Sequence, residues 1–106
     1  MSQVPTAVQR MIDATNAGDH DAFVAAFAPD AVLVDWGKAF EGSEGIAAWD
    51  ASDNIGRQAH FEIVDSVAEG DVWIVTLEVT GGGFNGESGF RFELADDLIT
   101  RMEIQP

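Results

Sequence analysis

After Gly56 the chain alternates between apolar-rich runs and short turn-forming stretches. Four such runs, at residues 58–68, 71–80, 87–95 and 98–105, have only two to six residues between them. Connections this short join antiparallel neighbours, because a parallel pair of strands needs a crossover of about a dozen residues or more. The pattern therefore predicts an antiparallel β-meander over this half of the chain.

Alternation within these runs predicts which side of the sheet is buried, since successive side chains of a strand point to opposite faces. One face is mainly aromatic and aliphatic and is expected to meet the helices: Trp73, Val75, Leu77, Val79, Ser88, Phe90, Phe92 and Leu94. The other face is mixed, with Val72, Ile74 and Ile99 among polar residues. A partly apolar outer face favours a dimer interface, so we expect a homodimer.

Three helices and a strand are predicted before the meander. Apolar residues at helical spacing predict a helix over residues 3–17. Asp19 is a suitable N-cap for a second helix, which Pro29 is expected to end. The run AVLVDWG is typical of a strand, residues 38–42 form a second strand or a turn, and Ser43 can cap a third helix.

This order of elements predicts one α+β domain over residues 1–106, with helices covering one face of a curved, mainly antiparallel sheet. The stretches NAGDHDAFVAAFAPDAVLVDWG and FEGSEGIAAW resemble the nuclear transport factor 2-like superfamily. Its ketosteroid isomerase-like and SnoaL-like polyketide cyclase members share a cone-shaped, cystatin-like fold. The resemblance implies three N-terminal helices packed on the sheet and an apolar ligand pocket between them.

Asp35 is the residue that the resemblance singles out for chemistry. It follows the run PDAVLV, where ketosteroid isomerase-like members place their general base, and it lies between Val34 and Trp36. A carboxylate in an apolar setting is poorly solvated, which suits it to accept a proton and return it to another carbon of a ligand. The alternative interpretation is a strand-end Asp that caps the turn at Gly37.

The chain departs from the family at the groups that stabilise an oxyanion. Ketosteroid isomerase combines its Asp base with a Tyr and a protonated Asp, but this sequence contains no Tyr. The Tyr position falls on or near Met11, and the position of the protonated Asp falls near Ser88. A single hydroxyl stabilises an oxyanion less well than that pair. These departures argue against ordinary 3-oxosteroid isomerisation.

His60 is a candidate acid partner for Asp35, because imidazole titrates near neutral pH. Phe61, the next residue of the strand, is expected to face inward, so His60 is expected to face outward. A role for His60 in the pocket therefore requires a bulge in the strand. The resemblance and the aromatic content together give the residues that we expect at the ligand pocket: Met11, Thr15, Phe27, Trp36, Trp49, Trp73, Ser88 and Phe90.

Composition excludes several classes of partner. The chain has 19 Asp and Glu against 5 Lys and Arg, a formal net charge of −14. Five scattered cations cannot form the basic surface that nucleic acid or an anionic membrane requires. Cys is absent, and the two His have no metal-ligand spacing, so we expect no metal. The sequence has no membrane-spanning apolar run and no signal-peptide pattern, which predicts a cytoplasmic location.

The glycines at 81, 83 and 86 match the dinucleotide-binding pattern G-x-G-x-x-G. That motif requires a helix after the loop, whereas a strand is predicted here, so we expect no nucleotide cofactor. A hairpin loop with Phe84 as a lid over the ligand is the interpretation we favour.

The sequence therefore predicts a domain that binds a hydrophobic small molecule. Our first hypothesis is a cofactor-independent isomerase or cyclase that acts on a cyclic or carbonyl-bearing ligand with Asp35 as the proton shuttle. The alternative is a non-catalytic dimer of the same fold that binds a ligand or a protein. An epoxide hydrolase would need an Arg beside the Asp, and Arg91 is expected to face outward, so this interpretation ranks last.

Overall fold

The structure, a computed structural model, describes residues 4–105. The helices are α1 (Thr6–Ala17), α2 (His20–Ala25) and α3 (Gly42–Asp53), with a short 3₁₀ helix at Ile55–Arg57. The strands are β1 (Phe27–Asp35), β2 (Lys38–Glu41), β3 (His60–Glu69), β4 (Val72–Thr80), β5 (Gly86–Ala95) and β6 (Leu98–Gln105). The described chain is therefore α+β, and its last four strands lie within two residues of the predicted ones.

The six strands form one mixed sheet in the order β2-β1-β6-β5-β4-β3. All neighbours are antiparallel except β1 and β6, which are parallel. This pairing is possible because α3 and four strands separate β1 from β6 along the chain, so no tight turn joins them. Only α1 and α2 precede the sheet, and α3 follows β2, so the helices are not all N-terminal to the strands.

Two predicted boundaries of the helices were wrong, and one cap is confirmed. Helix α2 ends at Ala25, and Pro29 lies inside β1 where the pairing with β6 shifts register, a place at which a strand tolerates a missing N–H. Helix α3 begins at Gly42 with no side-chain cap, so Ser43 belongs to its first turn. Asp19 does cap α2, since its carboxylate accepts the Ala22 N–H at 3.1 Å. Residue 3, the predicted start of the first helix, lies outside the described residues.

Ile99 lies on the opposite face of the sheet from the one predicted. It is fully buried, because the β5–β6 register shifts after Glu93 and leaves Thr100 as an extra residue. The Thr100 hydroxyl donates to the Glu93 carbonyl oxygen at 3.0 Å and so fixes this bulge. An extra residue reverses the alternation of a strand, which turns the Ile99 side chain inward.

The core lies between the helices and the inner face of the sheet. Its largest fully buried side chains come from every layer: Phe23, Phe92, Met11, Leu33, Ile46 and Leu77. None of the helices within residues 4–105 is long and apolar enough to cross a membrane.

A buried polar network joins the three helices near their ends. The Asp50 side chain is fully buried; its Oδ2 lies 2.7 Å from Nδ1 of His20, and its Oδ1 accepts from the Asn54 amide at 2.8 Å. That amide also donates to the Thr15 hydroxyl at 3.0 Å. The network fixes the end of α3, the helix that carries Trp49.

Candidate functional site

A cavity opens between α3 and one end of the sheet. It is lined by Asp35, Trp36, Trp49, Asp53, Asn54, Arg57, Ala59, Phe61, Val79, Thr80, Gly83, Phe84, Ser88, Phe90 and Ile104. The volume that the centre of a water molecule can occupy is about 80 Å³. The total space free of protein atoms, which includes the open mouth, is about 510 Å³. An apolar cavity of about 150 Å³ takes up one benzene ring. A ligand larger than one ring must therefore extend into the mouth.

The Asp35 carboxylate is held on the cavity wall by an indole. The Nε1–H of Trp49 donates to Oδ2 of Asp35 at 2.9 Å. Trp49 is only 3% exposed, and its ring stacks on Phe23 at a centroid distance of 5.9 Å, so the donor cannot easily move. The carboxylate of this half-buried residue is thus oriented by the indole and not by a backbone N–H of the following turn.

Trp36 is presented at the mouth by a two-residue turn. Asp35 and Lys38 pair across the β1–β2 hairpin, and both turn residues have positive φ, 52° at Trp36 and 86° at Gly37. These angles are typical of a type I′ turn, in which Gly, Asn and Asp are the favoured residues. The Trp36 side chain is 62% exposed, so packing into the core does not explain an aromatic residue there.

Two side-chain donors on the cavity wall, Ser88 and Trp49, are already engaged within the protein. The Ser88 hydroxyl donates to the Gln105 carbonyl oxygen at 2.9 Å, and the Trp49 indole donates to Asp35. Towards the cavity Ser88 can therefore offer lone pairs while its proton is engaged.

Six of the residues predicted for the site share this cavity: Asp35, Trp36, Trp49, Phe84, Ser88 and Phe90. The structure places the other five elsewhere. His60 is exposed, because the register shift in β3 lies between Ile63 and Asp65 and leaves the alternation before it intact. Phe61, next to it, takes the inward position and lines the cavity.

The remaining predicted residues lie in the core or at the far ends of their strands. Met11 and Thr15 are buried on the face of α1 that packs into the core. Phe27 begins β1, at the opposite end from Asp35, and contacts Phe23. Trp73 lies near the start of β4, whereas the cavity is reached only at the end of that strand.

Arg57, Asp53 and Asn54 line the cavity but were not predicted from the sequence. Asp53 ends α3, Asn54 follows it and Arg57 ends the 3₁₀ helix, and no periodic pattern distinguishes them. The one available signal was Arg57 itself, a cation in a chain with a net charge of −14. Within residues 4–105 no three His, Asp or Glu side chains come close enough together to hold a metal ion.

The helices, the mixed sheet and the cavity between them define a nuclear transport factor 2-like α+β protein. More narrowly, the chain belongs to the SnoaL-like domain family, whose profile matches residues 8–102. Among proteins of curated function, none matches this sequence.

Three solved structures illustrate the similarity. A candidate polyketide cyclase from Sinorhizobium meliloti is 32% identical, with 96% of this chain and 95% of that one covered at a TM-score of 0.87. A protein with a ketosteroid isomerase-like fold from Catenulispora acidiphila, in complex with trimethylamine, is 20% identical (98% and 87% covered, TM-score 0.85). A Mycobacterium tuberculosis protein in complex with an estradiol hemisuccinate is also 20% identical (94% and 90% covered, TM-score 0.80).

Proposed function

We propose that the cavity binds an apolar, cyclic or carbonyl-bearing small molecule, and that Asp35 moves a proton within that ligand in a cofactor-independent isomerisation or cyclisation. The observation that carries the proposal is the Asp35 carboxylate on an aromatic cavity wall, fixed by the Trp49 indole at 2.9 Å. A general base must be oriented towards the proton that it removes. One oxygen of Asp35 accepts the indole N–H, which leaves the other for the ligand.

In the proposed reaction, Asp35 takes a proton from a carbon next to a carbonyl group, and an enolate forms. In an isomerisation, the same proton returns to another carbon of the conjugated system. In a cyclisation, the enolate carbon forms a C–C bond to a second carbonyl, and the proton goes to the resulting alkoxide. Trp49 is a positioning residue, because it acts on the ligand through Asp35.

The relatives support the class of ligand. The Sinorhizobium protein, 32% identical over 96% of this chain, is a candidate polyketide cyclase, and cyclases act on carbonyl-bearing chains. The Mycobacterium protein shares the fold and holds a steroid conjugate. A cavity walled by Trp49, Phe61 and Phe90 offers the flat apolar surfaces that such rings contact.

The test is deuterium exchange at the carbons next to the carbonyl of β-tetralone, followed by proton NMR in D₂O. We expect the protein to accelerate exchange and Asp35→Asn to lower the catalysed rate by about 100-fold or more, the usual contribution of a general base. The matched control is Asp30→Asn, the same change at an exposed position of the same strand, which should leave the rate unchanged. An Asp35→Asn protein that exchanges at the wild-type rate would contradict the role of Asp35.

The second candidate function is ligand binding without catalysis. The observation that favours it is the engagement of Trp49 and Ser88 with protein acceptors, which leaves neither donor free for an enolate oxygen. Wild-type protein that binds β-tetralone but does not accelerate exchange would support this function and exclude the first for that ketone.

A further inference from the structure

We propose that Arg57 forms an anion-binding subsite at the cavity mouth, so that the ligand carries a carboxylate or a similar oxyanion on its outer end. This inference rests on the proposed function, because it assumes that the cavity holds a small molecule. It adds the chemical class of that molecule: an amphiphile whose ring system enters the cavity and whose anionic group stays at the mouth.

Hydrogen bonds hold both the backbone and the side chain of Arg57 in place. Its backbone carbonyl accepts the Gly82 N–H at 2.8 Å, and its Nε–H donates to the Ser52 carbonyl oxygen at 3.3 Å. Its aliphatic carbons lie over Gly83, where an added Cβ would come within 3.5 Å of them. Because these contacts already order the guanidinium, binding a ligand there loses less side-chain entropy.

The backbone around Arg57 leaves little freedom for it to move elsewhere. Gly56, just before it, packs so tightly that a Cβ would collide with the Ala51 carbonyl oxygen. Gln58, just after it, has a φ of 56°, and its N–H donates to the Ile55 carbonyl oxygen. The turn from α3 into β3 thus directs Arg57 to the mouth.

Within residues 4–105 the outer nitrogens of Arg57 have no acidic partner, although the protein is rich in acids. Arg91 and Arg101 pair with Glu93 and Glu103 at 2.6 and 3.7 Å. An ion pair requires a nitrogen–oxygen distance of 4.0 Å or less. In the part of the chain that the structure describes, no carboxylate oxygen lies that close to a guanidinium nitrogen of Arg57. Its fork of N–H donors therefore stays available, and that fork fits a planar oxyanion in a two-point contact.

The shape of the cavity separates the two ends of the proposed ligand. A water-sized sphere has only about 80 Å³ in which to move within the cavity, less than the roughly 150 Å³ that takes up one benzene ring, so the part of a ligand beyond one ring lies in the mouth. Trp36 and Phe84, which are 62% and 51% exposed, supply apolar surface there, and Arg57 lines the same space. Asp53 lines the same mouth, so a cationic end group is the competing possibility.

The test compares two fluorescent probes that share one ring system. Anilinonaphthalene sulfonate is anionic, and N-phenyl-naphthylamine is its uncharged counterpart. We expect Arg57→Gln to weaken binding of the sulfonate about tenfold, the order expected for a lost charged hydrogen bond, and to change binding of the amine by less than twofold. Arg57→Lys keeps the charge without the fork and should give an intermediate loss.

The matched control is Arg10→Gln, which changes the net charge equally at an exposed position of α1 away from the cavity. It should leave the affinities for both probes unchanged. The inference is overturned if Arg57→Gln leaves sulfonate binding intact, weakens both probes equally, or weakens the sulfonate no more than Arg10→Gln does. If the wild type binds neither probe, the proposed function fails and this inference with it; if it binds the amine but Arg57 has no effect on the sulfonate, only the inference fails.

Discussion

Trp36 shows how a single residue can serve a binding site at the expense of stability. Its φ of 52° is one that residues other than Gly, Asn and Asp seldom adopt, and its ring is largely exposed. No burial of that ring compensates for the strained backbone. Contact with a ligand at the mouth is the role that explains it.

We therefore expect Trp36→Asn to change stability and binding in opposite directions. Asn suits the first position of a type I′ turn, so the free energy of unfolding in urea should rise by about 1 kcal/mol. The affinity for N-phenyl-naphthylamine should fall, because an aromatic wall of the mouth is lost. Asp97→Gly, in the turn before β6 and outside the cavity, is the control: it should leave probe affinity unchanged. A Trp36→Asn protein that binds the probe as tightly as wild type would contradict the assigned role.

Individual site residues were predictable only where a local pattern marked them. Asp35 and Trp36 could be found because they end an apolar strand just before Gly37. Arg57 and Asn54 could not, because their place at the cavity depends on how the turn after α3 packs against the loop before β5. Such a contact joins segments far apart in the sequence and leaves no periodic signal.

At the scale of elements, the sequence predicted the strands better than it predicted how neighbouring strands pair. The meander was predictable because alternation and short turns are local features. The position of Pro29 inside β1 and the inward side chain of Ile99 were not, because both depend on shifts in pairing with a neighbouring strand. A register shift is a property of two strands together.

The packing of the helices depends on the Asp50 network, which leads to a prediction about stability. Asp50→Asn replaces a carboxylate oxygen with an amide donor, so with His20 in its Nδ1–H tautomer either His20 or Asn54 loses its acceptor. A buried donor left unpaired costs about 1–3 kcal/mol, so urea unfolding should show a loss of about 2 kcal/mol.

The control for Asp50 is Asp53→Asn on the same helix, where the side chain is exposed. That change should alter the free energy of unfolding by less than about 0.5 kcal/mol, as surface substitutions usually do. Equal effects of the two substitutions would show that the network contributes nothing particular to the packing of the helices.

At the scale of the whole molecule, the outer face of the sheet remains a proposed dimer interface. Val67, Ile74 and Arg91 are neighbours across three strands of that face, and Val67 is 45% exposed. Apolar residues flanked by the Arg91–Glu93 ion pair make a mixed surface of the kind that non-obligate interfaces present.

We expect light scattering to give the mass of two chains for the wild type. Ile74→Glu should shift the protein to monomer, because it places a charge in the apolar part of that face, whereas Glu87→Gln at the exposed start of β5 should not. A wild type that stays monomeric at high concentration would refute the dimer.

The overall architecture was predictable because alternation, turn spacing and a family resemblance all favoured the same α+β fold. The cavity itself was predictable only in outline, since its walls come from β1, α3 and four further strands that meet only after folding.

The central claim is that the space between α3 and the sheet is the ligand site, and the three tryptophans test it directly. In a titration with N-phenyl-naphthylamine followed by ¹⁵N–¹H NMR, the indole signals of Trp36 and Trp49 should shift while that of Trp73, outside the cavity, stays fixed. Shifts of all three signals, of Trp73 alone or of none would contradict the claim.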